Sequence, residues 1–235
     1  MKRICSICAR GGSKGVINKN IRIIMGKPLI AFSILQAKES KCFDSIVVSS
    51  DSQEILDISK EWGADFLVKR PKELASDKAA KLPAIQHCVK TIEEIKSCEY
   101  DTMVDLDATS TLRNIDDIKK SIEMLEKSDV SGNLITGAFA RRSPYFNLVE
   151  LTKDGFVKAS KKLDDPIFRR QDTPRCFDMN ASIYIWKRKA FYSNNSVLND
   201  DTSLFIMPED RSIDIDSELD FKIVNFLMKN KGSTS

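Results

Sequence analysis

Short β-branched apolar runs alternate with amphipathic segments of helical period from the first residues of this chain, and that order leaves few folds open. Arg3 to Ala9 is an apolar run of strand length, and Ser45 to Ser50 (SIVVSS), Asp65 to Val68 and Thr102 to Leu106 repeat the signal. Between them, Pro28 opens an apolar helical face through Leu29, Ile30, Phe32, Ile34 and Leu35. A helix over Gln53 to Trp62 has Asp51 or Ser52 as its cap and ends at Gly63. Ala79 to Ser97 puts Leu82, Ile85, Val89, Ile92 and Ile95 on one side, with Pro83 in the first turn, where its missing N–H does no harm. Asn114 caps a further helix to about Lys127. This β-α-β-α order predicts an α/β fold: a mostly parallel sheet with helices on both faces. Such sheets bind ligands beyond the carboxyl ends of their strands, so the loops after Cys8, Ser50, Val68 and Asp107 are expected to share one rim.

The pattern breaks after about Ser128. Val130 to Phe139 reads as a strand, but Arg141 to Pro174 is polar, interrupted by proline and rich in Arg and Lys. Strand signals return at Ala181 to Trp186 and Leu204 to Met207, and Ser217 to Lys229 is a closing helix. The expected organisation is an α/β domain over 1–139 and 179–230, an inserted arm over 140–178, and a disordered tail at 231–235. The 235 residues are 30% charged with a net charge of +3, and no basic arm or long like-charge run points to nucleic acid. The N-terminal apolar run is too short for a signal peptide, and no stretch approaches the roughly 20 apolar residues of a membrane span, so a cytoplasmic location is expected. Cys5 and Cys8 lie at an odd offset in a strand, which sends them to opposite faces. No second pair completes a zinc site, and core packing accounts better for the cysteines and for His87, the one histidine.

Arg10-Gly11-Gly12-Ser13-Lys14-Gly15 follows the first strand and precedes a helix, a place where backbone N–H groups can wrap phosphate oxygens and Arg10, Lys14 and Lys19 can supply charge. It is neither GxxxxGK[ST] nor GxGxxG, so a P-loop or dinucleotide fold is not supported. Asp214-Ile215-Asp216 places two carboxylates on one face of an extended segment, able to hold one hard cation such as Mg²⁺; alternatively Asp216 or Ser217 caps the last helix. Asp105-Leu106-Asp107 is a second such pair, the kind that a nucleotide-sugar-dependent glycosyltransferase uses for its metal.

Taken together, Ala9 to Gly15, Asn18-Lys19-Asn20, Gly26 to Leu29, Val48 to Asp51, Arg70 to Asp77, Asp107 to Arg113, Arg170 to Pro174 and Ser212 to Asp216 resemble the acylneuraminate cytidylyltransferases, the CMP-sialic acid synthetases, in order and spacing. The resemblance implies a Rossmann-like nucleotidyltransferase that couples CTP to a nine-carbon α-keto acid sugar with Mg²⁺, releases pyrophosphate, and forms a homodimer by exchanging the arm. It implies that Arg10, Gly11, Gly12, Ser13, Lys14, Lys19 and Asn20 hold the triphosphate. Arg70 with the Ala75 to Lys81 segment, Ala79 included, would recognise cytosine. Asp107, Thr109, Ser110, Asn180 and Tyr184, with Arg170 and Gln171 from the arm, would meet the sugar. Asp214 and Asp216 would hold the metal, with Asp216 the direct ligand, and Arg10, Lys14, Lys19 and Asp216 would serve the chemistry.

The chain departs from that pattern where Asp107-Ala108 stands in place of Gln-Pro, and the Leu-Asp-Ala-Thr-Ser form resembles the subgroup acting on legionaminic acid, a diacetamido relative of sialic acid. With one histidine in the chain, a histidine base is disfavoured; a carboxylate, a lysine or metal-bound water are the candidates. Competing readings are an eight-carbon-sugar synthetase, a glycosyltransferase using Asp105 and Asp107, and a nucleotide-binding regulatory module.

Overall fold

A computed structural model of the chain describes residues 1–12, 15–76, 79–165 and 169–231. The chain starts with β1 (Arg3–Cys8), a hairpin of β2 (Ile23–Ile24) and β3 (Lys27–Pro28), then α1 (Leu29–Ser40), β4 (Ser45–Ser50) and α2 (Gln53–Glu61). β5 (Phe66–Lys69), α3 (Lys81–Lys96), β6 (Thr102–Leu106), α4 (Ile115–Glu126) and β7 (Asn133–Phe139) follow. A small hairpin of β8 (Val149–Leu151) and β9 (Val157–Ala159) precedes β10 (Phe177–Lys187), α5 (Arg188–Ser193), β11 (Thr202–Ile206) and α6 (Glu218–Lys231). Seven strands form one sheet in the order β11-β7-β10-β6-β1-β4-β5.

The β1–β4, β1–β6, β4–β5 and β7–β11 pairs are parallel, as the β-α-β-α order predicts. β10 is the exception, running antiparallel between β6 and β7. Its single apolar stretch carries no direction in its composition; direction is set by the residues between β7 and β10, which bring the chain back beside β7. The helix boundaries follow local chemistry. Ser52 accepts from the Ile55 N–H at the start of α2, and Asn114 forms a reciprocal capping box with Asp117 at the start of α4. Three expectations change in detail. Ile95, expected on the apolar face of α3, is 63% exposed in the last turn of that helix. The β2–β3 hairpin and α5 are too short to leave a periodic signal. Lys231, placed in the tail, ends α6, while 232–235 lie outside the described residues.

Strand alternation sorts the core into two layers. Cys5 and Ile7 of β1, Val104 and Leu106 of β6, and Ile183 and Ile185 of β10 join the layer that holds residues of α1, α2 and α4. Ile4, Met103, Tyr184 and Trp186 face α3 with Cys8, so the two cysteines of β1 do point to opposite faces. Each fully buried aliphatic side chain of these layers contributes ~1.5–3 kcal/mol. The same alternation puts polar side chains on the α3 face as well. Ser6 of β1 and Tyr184 of β10 are both in register with Asp105 of β6, forming one row across three strands.

Candidate active site

A cavity of about 420 Å³ opens at the carboxyl ends of β1 and β6, on the rim that parallel topology predicts. Arg10 and Lys19 border it from the loop after β1, Arg70 and Ala79 from the connection between β5 and α3, and Lys81 from the start of α3. Asp107 and Thr109 close it from the loop after β6, and Asp214 and Asp216 from the approach to α6. Among the described residues, four cationic side chains therefore share one hollow with three carboxylates.

The phosphate-loop side is tied down through its backbone. Asp51 accepts from the Gly11 N–H at 2.9 Å, and Asn20 donates its side-chain amide to the Arg10 carbonyl at 2.9 Å. Asn18, in the left-handed region at φ 53°, turns the chain so that Lys19 points back. The Lys19 ammonium reaches Asp216 Oδ1 at 3.0 Å and also donates to the Ile215 carbonyl. Gly15 packs so closely on the Asp216 carbonyl that a Cβ there would sit 2.0 Å from that oxygen. Ser13 and Lys14 lie outside the described residues. Arg70 is buried, its guanidinium held by the hydroxyl and carbonyl of Ser49 at 3.1 and 2.9 Å.

The opposite wall is a charge cluster. Lys81, the first residue of α3, sets its ammonium 2.9 Å from Asp107 Oδ2, 3.2 Å from Asp105 Oδ2 and 4.3 Å from the ring centre of Tyr184. A cation at a helix N-terminus opposes the helix dipole, and the two carboxylates offset that penalty. Asp105 is fully buried, with Ser6 donating to its Oδ1 at 2.8 Å. Burial holds the Asp105 pKa above the usual range even against Lys81. Burial also acts on Asp107, but Lys81 and the Thr109 donors win and hold its pKa well below the usual range. The Asp105/Asp107 pair is thus already bridged by an ammonium, not open to a metal.

Thr109 connects this wall to the DxD segment. Its N–H and hydroxyl both reach Asp107 Oδ1, at 2.9 and 2.7 Å, and the same hydroxyl contacts Asp214 Oδ1. One hydroxyl proton cannot serve two ionised carboxylates. The contact is satisfied when Asp214 carries the second proton, and burial, reinforced by the Asp107 charge, pushes the Asp214 pKa up to about 6. Asp216 is different: its side chain is 77% exposed and paired with Lys19. Cys8 also lines the cavity, but burial pushes its thiol up to about 12, which leaves it neutral and unsuited to nucleophilic work.

Several residues expected at the sugar do not border this cavity. Tyr184 is buried beneath Lys81 and stacked on Trp186, 5.9 Å between ring centres. Asn180 spends its amide inside the fold, accepting from Thr136 at 2.6 Å and donating to Ser212 at 3.0 Å. Ser110 is buried behind the loop. Gln171 lines a separate hollow with Phe139, Arg142 and Cys176 at the base of the 140–178 segment. Arg170 begins a 3-10 turn, Arg170–Asp172, and its side chain lies outside the described atoms. His87 is half-buried on α3, away from the cavity.

Two features escaped sequence reasoning. Lys81 was legible only as the end of a segment, because its partners lie 24 and 26 residues away. Arg113, fully buried, donates to the Ser182 carbonyl at 2.6 Å and the Ser33 hydroxyl at 2.7 Å, fixing the loop that carries Asp107 and Thr109. Burial lowers its pKa to about 10, still well above neutrality.

Comparison with known proteins agrees with this geometry. The post-translational flagellin modification protein B of Campylobacter coli is 51% identical over 97% of this chain and 95% of its own length. The CMP-N,N'-diacetyllegionaminic acid synthase of Campylobacter jejuni is 50% identical over 97% of this chain and 95% of its own. A solved CMP:2-keto-3-deoxy-manno-octonic acid synthetase in complex with CTP shares the fold, with a TM-score of 0.69 at 14% identity, covering 98% of this chain and 100% of that one. The cytidylyltransferase family model matches residues 4–222, from β1 into α6 and across every residue that borders the cavity. The chain belongs to the cytidylyltransferase family.

Proposed function

We propose that this nucleotidyltransferase moves CMP from CTP to the anomeric hydroxyl of a nine-carbon, sialic-acid-like keto sugar, with legionaminic acid or a derivative the preferred acceptor. The observation that carries the reading is one cavity with Arg10 and Lys19 on one side and the Asp214/Asp216 pair facing them. The 50% identity to a diacetyllegionaminic acid synthase supports the sugar assignment. In the reaction the anomeric oxygen attacks the α-phosphorus and the bond from that phosphorus to the bridging oxygen breaks. Pyrophosphate leaves with the electron pair, and the hydroxyl proton passes to a base. Arg10 and Lys19 neutralise charge on the phosphates, and such transfer depends more on positioning and electrostatics than on covalent help. Arg70, locked on Ser49, and Ala79 form the cytosine end. Asp107 and Thr109 form the sugar end. Pyrophosphate release from CTP with one sugar at a time tests the assignment.

A glycosyltransferase would need a metal at Asp105 and Asp107, and Lys81 occupies the space between them. Asp214 and Asp216 suit Mg²⁺ better: they are hard oxygen donors on the same cavity as Arg10 and Lys19, and burial with the nearby Asp107 charge raises the Asp214 pKa, a penalty that a bound cation would relieve. Among the described residues no three His, Cys, Asp or Glu side chains gather around one point, which fits an ion completed by substrate phosphates and water. Bound Mg²⁺ would neutralise phosphate charge. Because Asp214 must lose its proton to bind, Mg²⁺ affinity is expected to weaken as pH falls below about 6. Asp216→Ala is expected to lose Mg²⁺-dependent turnover while remaining folded. Half-maximal Mg²⁺ measured between about pH 5 and 8 checks both, bracketing the Asp214 pKa of about 6. A flat profile with an active Asp216→Ala variant would remove the metal assignment.

We also read residues 140–178 as a dimerisation arm. Its β8–β9 hairpin leaves Leu148, Val149, Leu151, Phe156 and Val157 exposed, an apolar surface of the kind that marks association. A second copy of the chain is the expected occupant, and a monomer in light scattering at micromolar concentration would contradict it. The six cysteines are all free, which suits the reducing cytoplasm, and no helix among the described residues is long and apolar enough to cross a membrane. Cell fractionation tests the location.

A further inference from the structure

The two halves of the cavity wall come from sequence segments about a hundred residues apart, and one ion pair outside the cavity joins them. Asp117 sits in the first turn of α4, its side chain only 4% exposed. Its Oδ2 accepts from the Asn114 N–H at 3.0 Å, while the Asn114 side chain accepts from the Asp117 N–H at 2.9 Å. That box ends the loop that carries Asp107 and Thr109. The same carboxylate takes both prongs of Arg211, Nε and Nη2, at 2.9 Å each. Arg211 lies three residues before Asp214 and five before Asp216. Neither Arg211 nor Asp117 borders the cavity.

We propose that Asp117 and Arg211 are positioning residues: their two-pronged pair fixes the 212–216 segment against the Asp107–Arg113 loop and so sets where the Asp214/Asp216 carboxylates present themselves to a divalent cation. The proposal rests on the metal reading above. Three observations support a role beyond helix capping. Asn114 and Asp117 already satisfy each other's backbone N–H groups, so α4 has its cap without Arg211. An arginine fork fixes direction as well as distance, which a single-point contact does not. The other direct tie to the Asp107 loop, the Thr109 hydroxyl on Asp214 Oδ1, is a single-point contact; elsewhere Ser212 accepts from Asn180 at 3.0 Å, Ile215 is buried in the third apolar cluster, and Lys19 holds Asp216 from the phosphate loop.

Partners that orient metal ligands from behind typically change metal affinity by about 10–100-fold when removed, and Arg211→Gln is expected to weaken binding by about 10-fold or more. The direct readout is Mn²⁺ binding by electron paramagnetic resonance in the presence of CTP, independent of turnover. In pyrophosphate release the half-saturating Mg²⁺ concentration should rise in parallel, while KM for CTP and kcat at saturating Mg²⁺ change little. Arg211→Lys, which keeps the charge but loses the fork, should fall between wild type and Arg211→Gln. Asp117→Asn retains an acceptor for the helix cap and carries the same measurement if Arg211→Gln does not fold. Unchanged Mn²⁺ affinity in a folded variant, or a loss of kcat with unaltered metal dependence, would overturn the proposal. If the wild type binds Mn²⁺ with CTP but releases no pyrophosphate with any sugar, the functional reading fails while the clamp is still judged by the Mn²⁺ series.

Discussion

Lys81→Met is expected to destabilise the fold by about 3 kcal/mol near pH 8, at the low end of what breaking a buried ion pair costs. The sign and the pH dependence both follow from the partners. Lys81 is the cation beside Asp105, which is fully buried, and its contact with Asp107 is the shorter of the two. Without the ammonium, both carboxyls sit in a poorly solvated wall with only hydroxyl and N–H donors, Ser6 for one and Thr109 for the other. Asp105 can escape by holding a proton, since burial already raises its pKa. That escape keeps the cost from reaching the upper end of the range.

In the wild type, Asp107 has a folded pKa below its unfolded value, so its contribution is full above about pH 4 and is lost as pH falls through the folded pKa. Lys81 has a folded pKa above its unfolded value, with Asp107 and then Asp105 raising it against burial. Its contribution is therefore full below about pH 10 and is lost as pH rises through the folded pKa. In the methionine variant Asp105, freed of the ammonium that lowers its pKa, binds its proton still more tightly folded than unfolded, so its stability should fall as pH rises. Urea denaturation at about pH 5 and pH 8 should show the gap to wild type widening with pH. A gap under about 1 kcal/mol at pH 8, no larger than an exposed ion pair, would mean that the Lys81 cluster is solvated and not structural.

Gly15→Ala is expected to give the largest loss of activity among single-methyl changes. The added carbon would lie 2.0 Å from the Asp216 carbonyl, well inside contact distance and against backbone, so either the phosphate loop or the Asp216 segment must move. Gly15 is exposed, which lets the loop relax and limits the stability cost to about 1–3 kcal/mol. Relaxation separates the elements that the reaction needs together, because Lys19 bridges the same loop to Ile215 and Asp216. A displacement of about 1 Å can cost roughly 100-fold in rate, and kcat/KM for CTP is expected to fall by at least that much. Near-normal activity in Gly15→Ala would show that the contact between loop and DxD segment is dispensable.

Legibility in the sequence tracked the range of the interaction. β4 and β6 were readable to the residue, because burial on both faces leaves an uninterrupted β-branched run bounded by turn residues. Ser52, one of two cap candidates, and the cap at Asn114 were readable because their partners are three residues away. The direction of β10 was not, since an apolar stretch looks the same run either way. Ile95 misled because the apolar helical period continues into the last turn of α3, where burial does not follow it. At the site, the rim loops and the two aspartates at 214 and 216 could be named in advance. What could not be read was which charges neutralise one another. The Lys81–Asp105–Asp107 bridge, the shared Thr109 hydroxyl and the Arg211–Asp117 fork each join residues that only the fold makes neighbours. Spacing alone offered Asp105 and Asp107 as a rival metal pair, the resemblance favoured Asp214 and Asp216, and the place of Lys81 between the first two agrees with the second.

In the proposed reaction, one catalysed step moves the α-phosphate of CTP onto the sugar. The measurement is incubation of the protein and Mg²⁺ with CTP labelled at the α-phosphorus, and with legionaminic, N-acetylneuraminic, pseudaminic or an eight-carbon keto-deoxy acid, each alone. The expected result is label in a CMP–sugar conjugate together with an equal amount of pyrophosphate, fastest with legionaminic acid or its derivative and absent without sugar. Label that remains in CTP with every acid, or that appears as free CMP regardless of which acid is present, would contradict it.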